Sequence, residues 1–351
     1  MIATETVMPR VAKQTMTFAT NASAIVEPDE SGIGSTMQAI YLEQRAGVEG
    51  LVAGEIPRPS PKEGEVLVKV RATSVTPSEL EWFTTFNLPF GEPRPFPIVL
   101  SHEFSGVVSS VGTRVTGFSI GDEVFGLNDW FIDGAQAEYC VAKATALALK
   151  PKSLFHVQSA VVPISALTAW QGLFQRAKLE PGQRVLIHGA AGCVGSFAVQ
   201  LARWRGARVI APISSGNFEF VRLLGADELI DYRTTRFEDV IKNVDVVFDT
   251  VGDEILERSW PVLAPGGRLV TVATGRNGAA ERRVRDAFLR VQPDGSQLAE
   301  IGRMIDHGEI KAHVGPIFPL TAAKLAYARA KHGLRRGKVA LRVIDRDADA
   351  A

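Results

Sequence analysis

The sequence predicts an α/β protein of two domains: a barrel-like unit of short strands, then a doubly wound parallel sheet. Three observations carry this. At 351 residues the chain has room for two domains of roughly 100–200 residues each. Residues 38–142 read as short β-like runs broken by Gly, Pro and Asp, as all-β units do. Residues 184–272 alternate strand patterns with helical ones over short connections, which implies parallel βαβ units.

In chain order, residues 1–36 are rich in Ala, Thr and Ser without a clear period and are expected to form a flexible extension. A strand is expected at 38–42. Residues 65–72 alternate apolar and polar side chains with period two, as a half-buried strand does. Further strands are expected at 104–112, 121–126 and 137–142. Between Thr76 and Pro97 a helix followed by a loop is expected, with Trp82, Phe83 and Phe86 as candidates for a pocket wall. Strands are then expected at 184–188, 208–211, 228–230, 244–249 and 268–272. Helices are expected between them at 195–204, 218–224, 237–241 and 254–263. A helix at 297–306 and a strand at 337–343 complete the reading.

Composition removes several classes. The 39 basic residues equal the 39 acidic ones, so no nucleic-acid or membrane-surface footprint is expected. No apolar run approaches the ~18–20 residues that span a bilayer. The two cysteines, Cys140 and Cys193, cannot make a disulfide framework or a four-Cys zinc site. They are read as reduced thiols of a cytoplasmic protein.

The sharpest motif is His188-Gly189-Ala190-Ala191-Gly192-Cys193-Val194-Gly195. It follows a strand and opens a helix, the setting a dinucleotide fingerprint requires. A tight turn lets the backbone approach a pyrophosphate, and free N–H groups at the helix start face its oxygens. Gly189 through Gly195 are therefore the candidate cofactor-binding residues. Ala190 stands at the first fingerprint position, and Cys193 is read as a small apolar filler. An acid ~20 residues on would accept from a free ribose 2′-hydroxyl. Here the stretch after the second strand holds Ser214, Ser215 and Asn217 instead, which favours NADP(H). No Lys or Arg lies in that loop. Arg222, or Tyr232 and Arg233 after the third strand, are the nearby candidates.

In these residues the chain resembles the medium-chain dehydrogenase/reductase superfamily, in its zinc-free quinone oxidoreductase-like branch. The resemblance spans residues 37–345. It rests on the order of Gly64-Glu65-Val66, Phe104-Ser105-Gly106-Val107-Val108, Gly121-Asp122-Glu123-Val124, Leu167-Thr168-Ala169-Trp170, the glycine turn, Leu224-Gly225-Ala226-Asp227, Gly266-Gly267-Arg268 and Gly337-Lys338-Val339. It implies a GroES-like catalytic barrel at 37–160, a Rossmann domain at 161–311 and a return to the barrel at 312–351, with a cleft between the two.

The superfamily's metal-using alcohol dehydrogenases hold zinc with a Cys, a His-Glu pair and a further Cys or Asp. This chain keeps His102 and Glu103 but has no Cys near Glu79 or in residues 162–166. No metal is therefore expected, since a catalytic zinc takes three protein ligands. His102 is read as a cleft histidine or as a satisfied core histidine. The resemblance implies transfer of hydride from NADPH to a quinone or an α,β-unsaturated carbonyl, which needs orientation and a dry cleft more than a Lewis acid. His102 and Thr168 are the candidate catalytic groups, with Thr168 also beside the cofactor. Glu79, Trp82, Phe83 and Phe86 are the candidate substrate pocket. Rival readings are an enoyl-thioester reductase, for which Arg282, Arg283 and Arg285 would bind a carrier phosphate, an alcohol dehydrogenase, and a noncatalytic NADPH- or RNA-binding protein. A homodimer is expected, paired through an edge strand at 287–291.

Overall fold

A computed structural model describes residues 35–273, 282–332 and 336–343 of the chain. The expected extension at 1–36 lies outside these apart from its last two residues. Two β-systems organise the rest, as the change of period near the middle of the sequence anticipates.

The first system is antiparallel apart from one pair. Its main sheet runs in the order Val314–Pro319, Lys338–Arg342, Glu65–Ser74, Glu103–Val111, Glu123–Leu127 and Leu147–Leu149, and Tyr139–Lys143 also pairs with Glu65–Ser74. A smaller sheet places Thr36–Leu42 between Leu51–Pro57 and Ile98–Val99. Val66, Val68 and Val70 close on Phe104, Val108 and Val124 in one apolar cluster, so the period-two pattern buries the face it predicts. The strand Lys338–Arg342 comes from the far end of the sequence and pairs antiparallel with Glu65–Ser74.

The second system is a five-stranded parallel sheet. Its spatial order is Glu228–Asp231, Arg208–Ile213, Arg184–Ile187, Val244–Asp249 and Leu263–Thr271. In order of sequence these are strands 3-2-1-4-5, so the winding reverses between Arg184–Ile187 and Val244–Asp249. That reversal opens a crevice at the carboxyl ends of the strands, where ligands of such sheets sit. Val185, Leu186 and Ile187 are fully buried, as expected of a strand covered on both faces. The helices Pro163–Trp170 and Cys193–Trp204 pack together on one face, with Phe197, Val199 and Leu201 in the main core.

Four expectations change. Residues 76–97 form a 3-10 turn at Pro77–Glu81 and one helical turn at Phe83–Phe86 rather than a longer helix, because Pro77, Pro89, Pro93, Pro95 and Pro97 restrict continuation. The helix expected to reach residue 263 ends at Ser259, and Leu263 already belongs to the next strand. Leu51–Pro57, Val314–Pro319 and the helix Ala323–Lys331 form where no element was expected. Residues 287–291 are not an edge strand. Phe288 makes one parallel bridge to Thr271, and Leu289 N–H donates to Thr271 O at 2.8 Å. Phe288 and Leu289 turn toward a cleft within the chain, which removes the apolar exposure that argued for dimer pairing at this segment.

Candidate functional site

The glycine turn occupies the crevice at the sheet's switch point. Gly189 takes φ +71°, and a Cβ there would stand 2.1 Å from Thr250 Oγ1. Thr250 in turn donates to His188 O at 2.9 Å, which locks the turn to the loop after the fourth strand. That loop is held by Asp249, whose carboxylate accepts from Val251 N–H at 2.9 Å and from Thr271 Oγ1 at 2.8 Å. Burial pushes the Asp249 carboxyl above its usual range. Gly192 caps the helix Cys193–Trp204, so the first N–H groups of that helix open toward the crevice.

His188 is structural. Its Nε2 lies 2.9 Å from Ser259 Oγ, whose own hydrogen goes to Ile255 O at 2.6 Å. Ser259 therefore accepts, and His188 Nε2 donates. Burial first, and the nearby Arg258 guanidinium second, push the ring down to about 3. An unfolded histidine takes its proton near 6.5, so the unfolded chain binds one more proton between those two values. This contribution to stability is complete above about pH 6.5 and is lost as pH falls toward 3. Urea unfolding at pH 7, 6 and 5 is expected to show a fall approaching 1.4 kcal/mol per pH unit from this group. His188→Gln should flatten the profile by that amount, and equal slopes in both proteins would refute the assignment.

Around the second strand, Ser214 and Asn217 lie together, with Asn217 Nδ2 donating to Ser214 Oγ at 3.3 Å. Ser215 is engaged differently. Asp231, at the end of the third strand, is held below its usual range by Arg233 N–H and then by the hydroxyl and N–H of Ser215. A carboxylate thus does stand beside this loop, contributed by the neighbouring strand. Tyr232 is exposed. A cation that the linear scan missed arrives from the end of the chain: the Arg336 guanidinium lies 4.7 Å from the centroid of the Phe220 ring, on the helix that begins one residue after Asn217.

A cleft of about 670 Å³ runs from the glycine turn to a wall of aromatic side chains. Gly192, Cys193 and Val194 line it together with Trp82, Phe83 and Trp130. Trp82 and Trp130 meet edge to face at 5.3 Å, and Trp130 Nε1 donates to Val291 O at 2.9 Å. Thr168 also lines the cleft, although its hydroxyl is spent on Ile164 O at 2.6 Å. Cys193 lines it too. Burial raises its thiol, so it is no ready nucleophile.

Of the expected catalytic and substrate-pocket residues, three lie off the cleft. Phe86 belongs to the barrel-side core beside Ile40 and Leu42, with the Arg45 guanidinium 4.4 Å over its ring. Glu79 is buried and accepts from Ser101 N–H at 2.9 Å. His102 Nδ1 lies 2.5 Å from the same Glu79 oxygen, and its Nε2 lies 3.1 Å from Ile132 O. Both ring nitrogens thus face protein oxygens at close range. His102 sits behind Trp130, with ring centroids 5.3 Å apart. It is a satisfied core histidine, a step removed from the reacting atoms.

The same contacts test a metal. His102 has no free nitrogen. The Glu103 carboxylate is buried and taken by the Lys338 ammonium, the Ser74 hydroxyl and, at 2.7 Å, Ile164 N–H. Among the described residues no three His, Cys, Asp or Glu side chains gather into a metal-holding group. The donor set does not fit zinc. A dinucleotide fits better, because Gly189 and Gly195 keep the turn clear of side chains. Lys338 lines the cleft as well, a placement that the Gly337-Lys338 pair does not signal in the sequence.

A second constellation has the look of a hydrolase triad: Ser105 Oγ lies 2.8 Å from His156 Nδ1, and His156 Nε2 lies 3.2 Å from Glu123 Oε1. Ser105 is fully buried and donates to Val124 O at 2.9 Å. Its hydrogen is therefore not available to the imidazole, and the group ties the barrel together.

Comparison with known proteins bears on the family. Residues 62–152 match the alcohol dehydrogenase GroES-like domain family, and residues 224–341 match the zinc-binding dehydrogenase family. A 2-methylene-furan-3-one reductase of Solanum lycopersicum is 31% identical over 97% of this chain and 86% of its own length. The chloroplastic quinone-oxidoreductase QR1 of Triphysaria versicolor is 31% identical over 87% of this chain and 98% of its own. Among solved structures, the quinone oxidoreductase from Coxiella burnetii superposes with a TM-score of 0.80 at 30% identity, covering 88% of this chain and 100% of that one. Several relatives are chloroplastic or mitochondrial by name, so the cytoplasmic expectation draws no support from them. Among the described residues no helix is long and apolar enough to cross a membrane.

Proposed function

From a chain that belongs to the medium-chain dehydrogenase/reductase superfamily, in its quinone oxidoreductase-like branch, we propose an NADPH-dependent enzyme that reduces a quinone or an α,β-unsaturated carbonyl without zinc. The observation that carries the proposal is the cleft itself. Apolar aromatic side chains and the glycine turn line one and the same space. When bound, the dihydronicotinamide supplies the hydride. The chain's part is to hold both reactants in contact and keep water out. Trp82 and Trp130 offer flat apolar surface to a planar acceptor. Names of relatives point the same way, since one is an alkenal/one oxidoreductase and others are quinone oxidoreductases.

The choice of NADPH rests on the 2′-phosphate end. Ser214 and Asn217 present hydroxyl and amide donors, and Arg336 and Arg233 supply positive charge nearby. Asp231 favours the second reading, NADH, because a carboxylate repels a 2′-phosphate. Its hydrogen bonds from Ser215 and Arg233 N–H keep it ionised, so the NADPH reading rests on the Ser214 and Asn217 donors and on the arginines. Titration by intrinsic Trp fluorescence is expected to show NADPH at least about tenfold tighter than NADH, or about 1.4 kcal/mol. Arg336→Ala should close most of that gap. Equal affinities in the wild-type protein would sink the preference.

The rival thioester reading weakens on contacts. Arg283 pairs with Glu257 at 2.5 Å and Arg282 lies 3.6 Å from Asp286, so much of that patch is already neutralised. NADPH consumption over quinones, simple enones and enoyl-CoAs separates the readings. Turnover confined to enoyl-CoAs would replace the proposal.

A further inference from the structure

We propose that the Ser165 hydroxyl donates a hydrogen bond to the substrate oxygen on which negative charge collects during reduction. The inference rests on the enone- or quinone-reductase reading above. Ser165 is 1% exposed, its Oγ has no hydrogen-bond partner, and the residue lines the cleft. Neighbouring polar groups are already committed. Thr168 donates to Ile164 O at 2.6 Å, the Cys193 thiol donates to Gly337 O at 3.4 Å, and the Lys338 ammonium is held by Glu103. Leaving a buried hydroxyl unpaired is costly, and native interiors seldom do so without a reason. A partner that arrives with the substrate supplies the reason.

The surroundings favour a negative partner. Ser165 stands in the first turn of the helix Pro163–Trp170, whose positive end stabilises anions. It follows Ile164, which shares the cleft with Trp82 and Trp130, the surface expected to receive a planar acceptor.

In enone reduction a hydrogen with its electron pair bonds to the β-carbon, with oxidation of the dihydronicotinamide. The alkene π pair shifts to join the α-carbon and the carbonyl carbon, and the carbonyl π pair ends on oxygen. A proton from water then bonds at the α-carbon and restores the carbonyl. Ser165 keeps its own proton throughout. Its hydrogen bond is stronger to the enolate oxygen than to the neutral ketone, so it lowers the barrier instead of merely tightening the complex.

The test uses the full chain, NADPH and 2-cyclohexen-1-one, with Ser165→Ala and Ser165→Thr. Ser165→Ala is expected to lower kcat roughly 10–100-fold and to leave NADPH affinity unchanged. Ser165→Thr, which keeps a hydroxyl, should recover most of the rate. A readout independent of turnover is the anion band of 4-nitrophenol bound in the presence of NADP⁺. The wild-type protein should favour bound phenolate at a pH where free phenol dominates, and Ser165→Ala should lose that preference. Weaker NADPH binding with unchanged kcat at saturating cofactor would assign Ser165 to the dinucleotide and overturn the proposal. Unchanged kcat and an unchanged band in Ser165→Ala would overturn it too. If the wild-type protein reduces no enone or quinone, the functional reading fails, and the phenolate band alone decides Ser165.

Discussion

Lys338→Met is expected to destabilise the protein by about 3–5 kcal/mol, the range for breaking one side of a buried ion pair. Glu103 has no solvent exposure and Lys338 little. With the ammonium gone, the carboxylate keeps only the Ser74 hydroxyl and Ile164 N–H, too few contacts to replace hydration of a full charge. Urea unfolding reads the effect as a lower midpoint with an unchanged slope. The double variant Glu103→Gln with Lys338→Met should recover much of the loss, because it removes the stranded charge as well. A cost below about 1 kcal/mol for Lys338→Met, typical of exposed pairs, would mean that water reaches this pair in solution.

Gly195→Val carries the largest expected effect on binding. A Cβ at Gly195 would lie 2.1 Å from Gly189 O and 2.8 Å from Ala190 Cα. Both are backbone atoms of the turn, so relief requires the helix to move away from the strand. Such overpacking typically costs about 1–3 kcal/mol or more, and the displaced N–H groups no longer converge on a pyrophosphate. NADPH binding is expected to fall below detection by calorimetry, a loss of roughly a thousandfold or more. Gly192→Val is the informative companion. A Cβ there meets only Gly189 O, at 3.1 Å, so the fold should survive while the side chain obstructs the cleft. Native NADPH affinity in a folded Gly192→Val protein would place the cofactor elsewhere.

Local pattern made much of the fold legible. The period-two run at Glu65–Ser74 and the apolar strand Arg184–Ile187 declare themselves over a few residues, and the glycine turn is readable because its chemistry is contiguous. What the sequence hid depends on topology. Asp231 reaches Ser215 from the adjacent strand, and Arg336 reaches Phe220 from the end of the chain. Neither contact has a sequence period. Glu79 and Phe86 were grouped with Trp82 and Phe83 because they are neighbours in the chain. The short turns there send Glu79 toward His102 and Phe86 toward Ile40, while Trp82 and Phe83, with Thr84, reach the cleft. His102 kept the family's His-Glu signature, but its ring is spent on Glu79 and Ile132. Ser165 carries no motif at all; a buried hydroxyl without a partner on a residue that lines the cleft distinguishes it.

The strand Lys338–Arg342, which completes the barrel's main sheet, also sets a timetable. Glu103 leaves the ribosome 235 residues ahead of Lys338. At about 5–20 residues per second the interval is roughly ten to fifty seconds. Throughout it Glu65–Ser74 lacks this neighbour, and the Glu103 carboxylate lacks its cation. The parallel sheet, whose last strand ends at Thr271, is synthesised in full before that moment. The nascent chain therefore passes through a stage with a finished nucleotide-binding half and an unsealed barrel. Until Lys338–Arg342 emerges, the edge at Ala72–Ser74 is left without its strand partner.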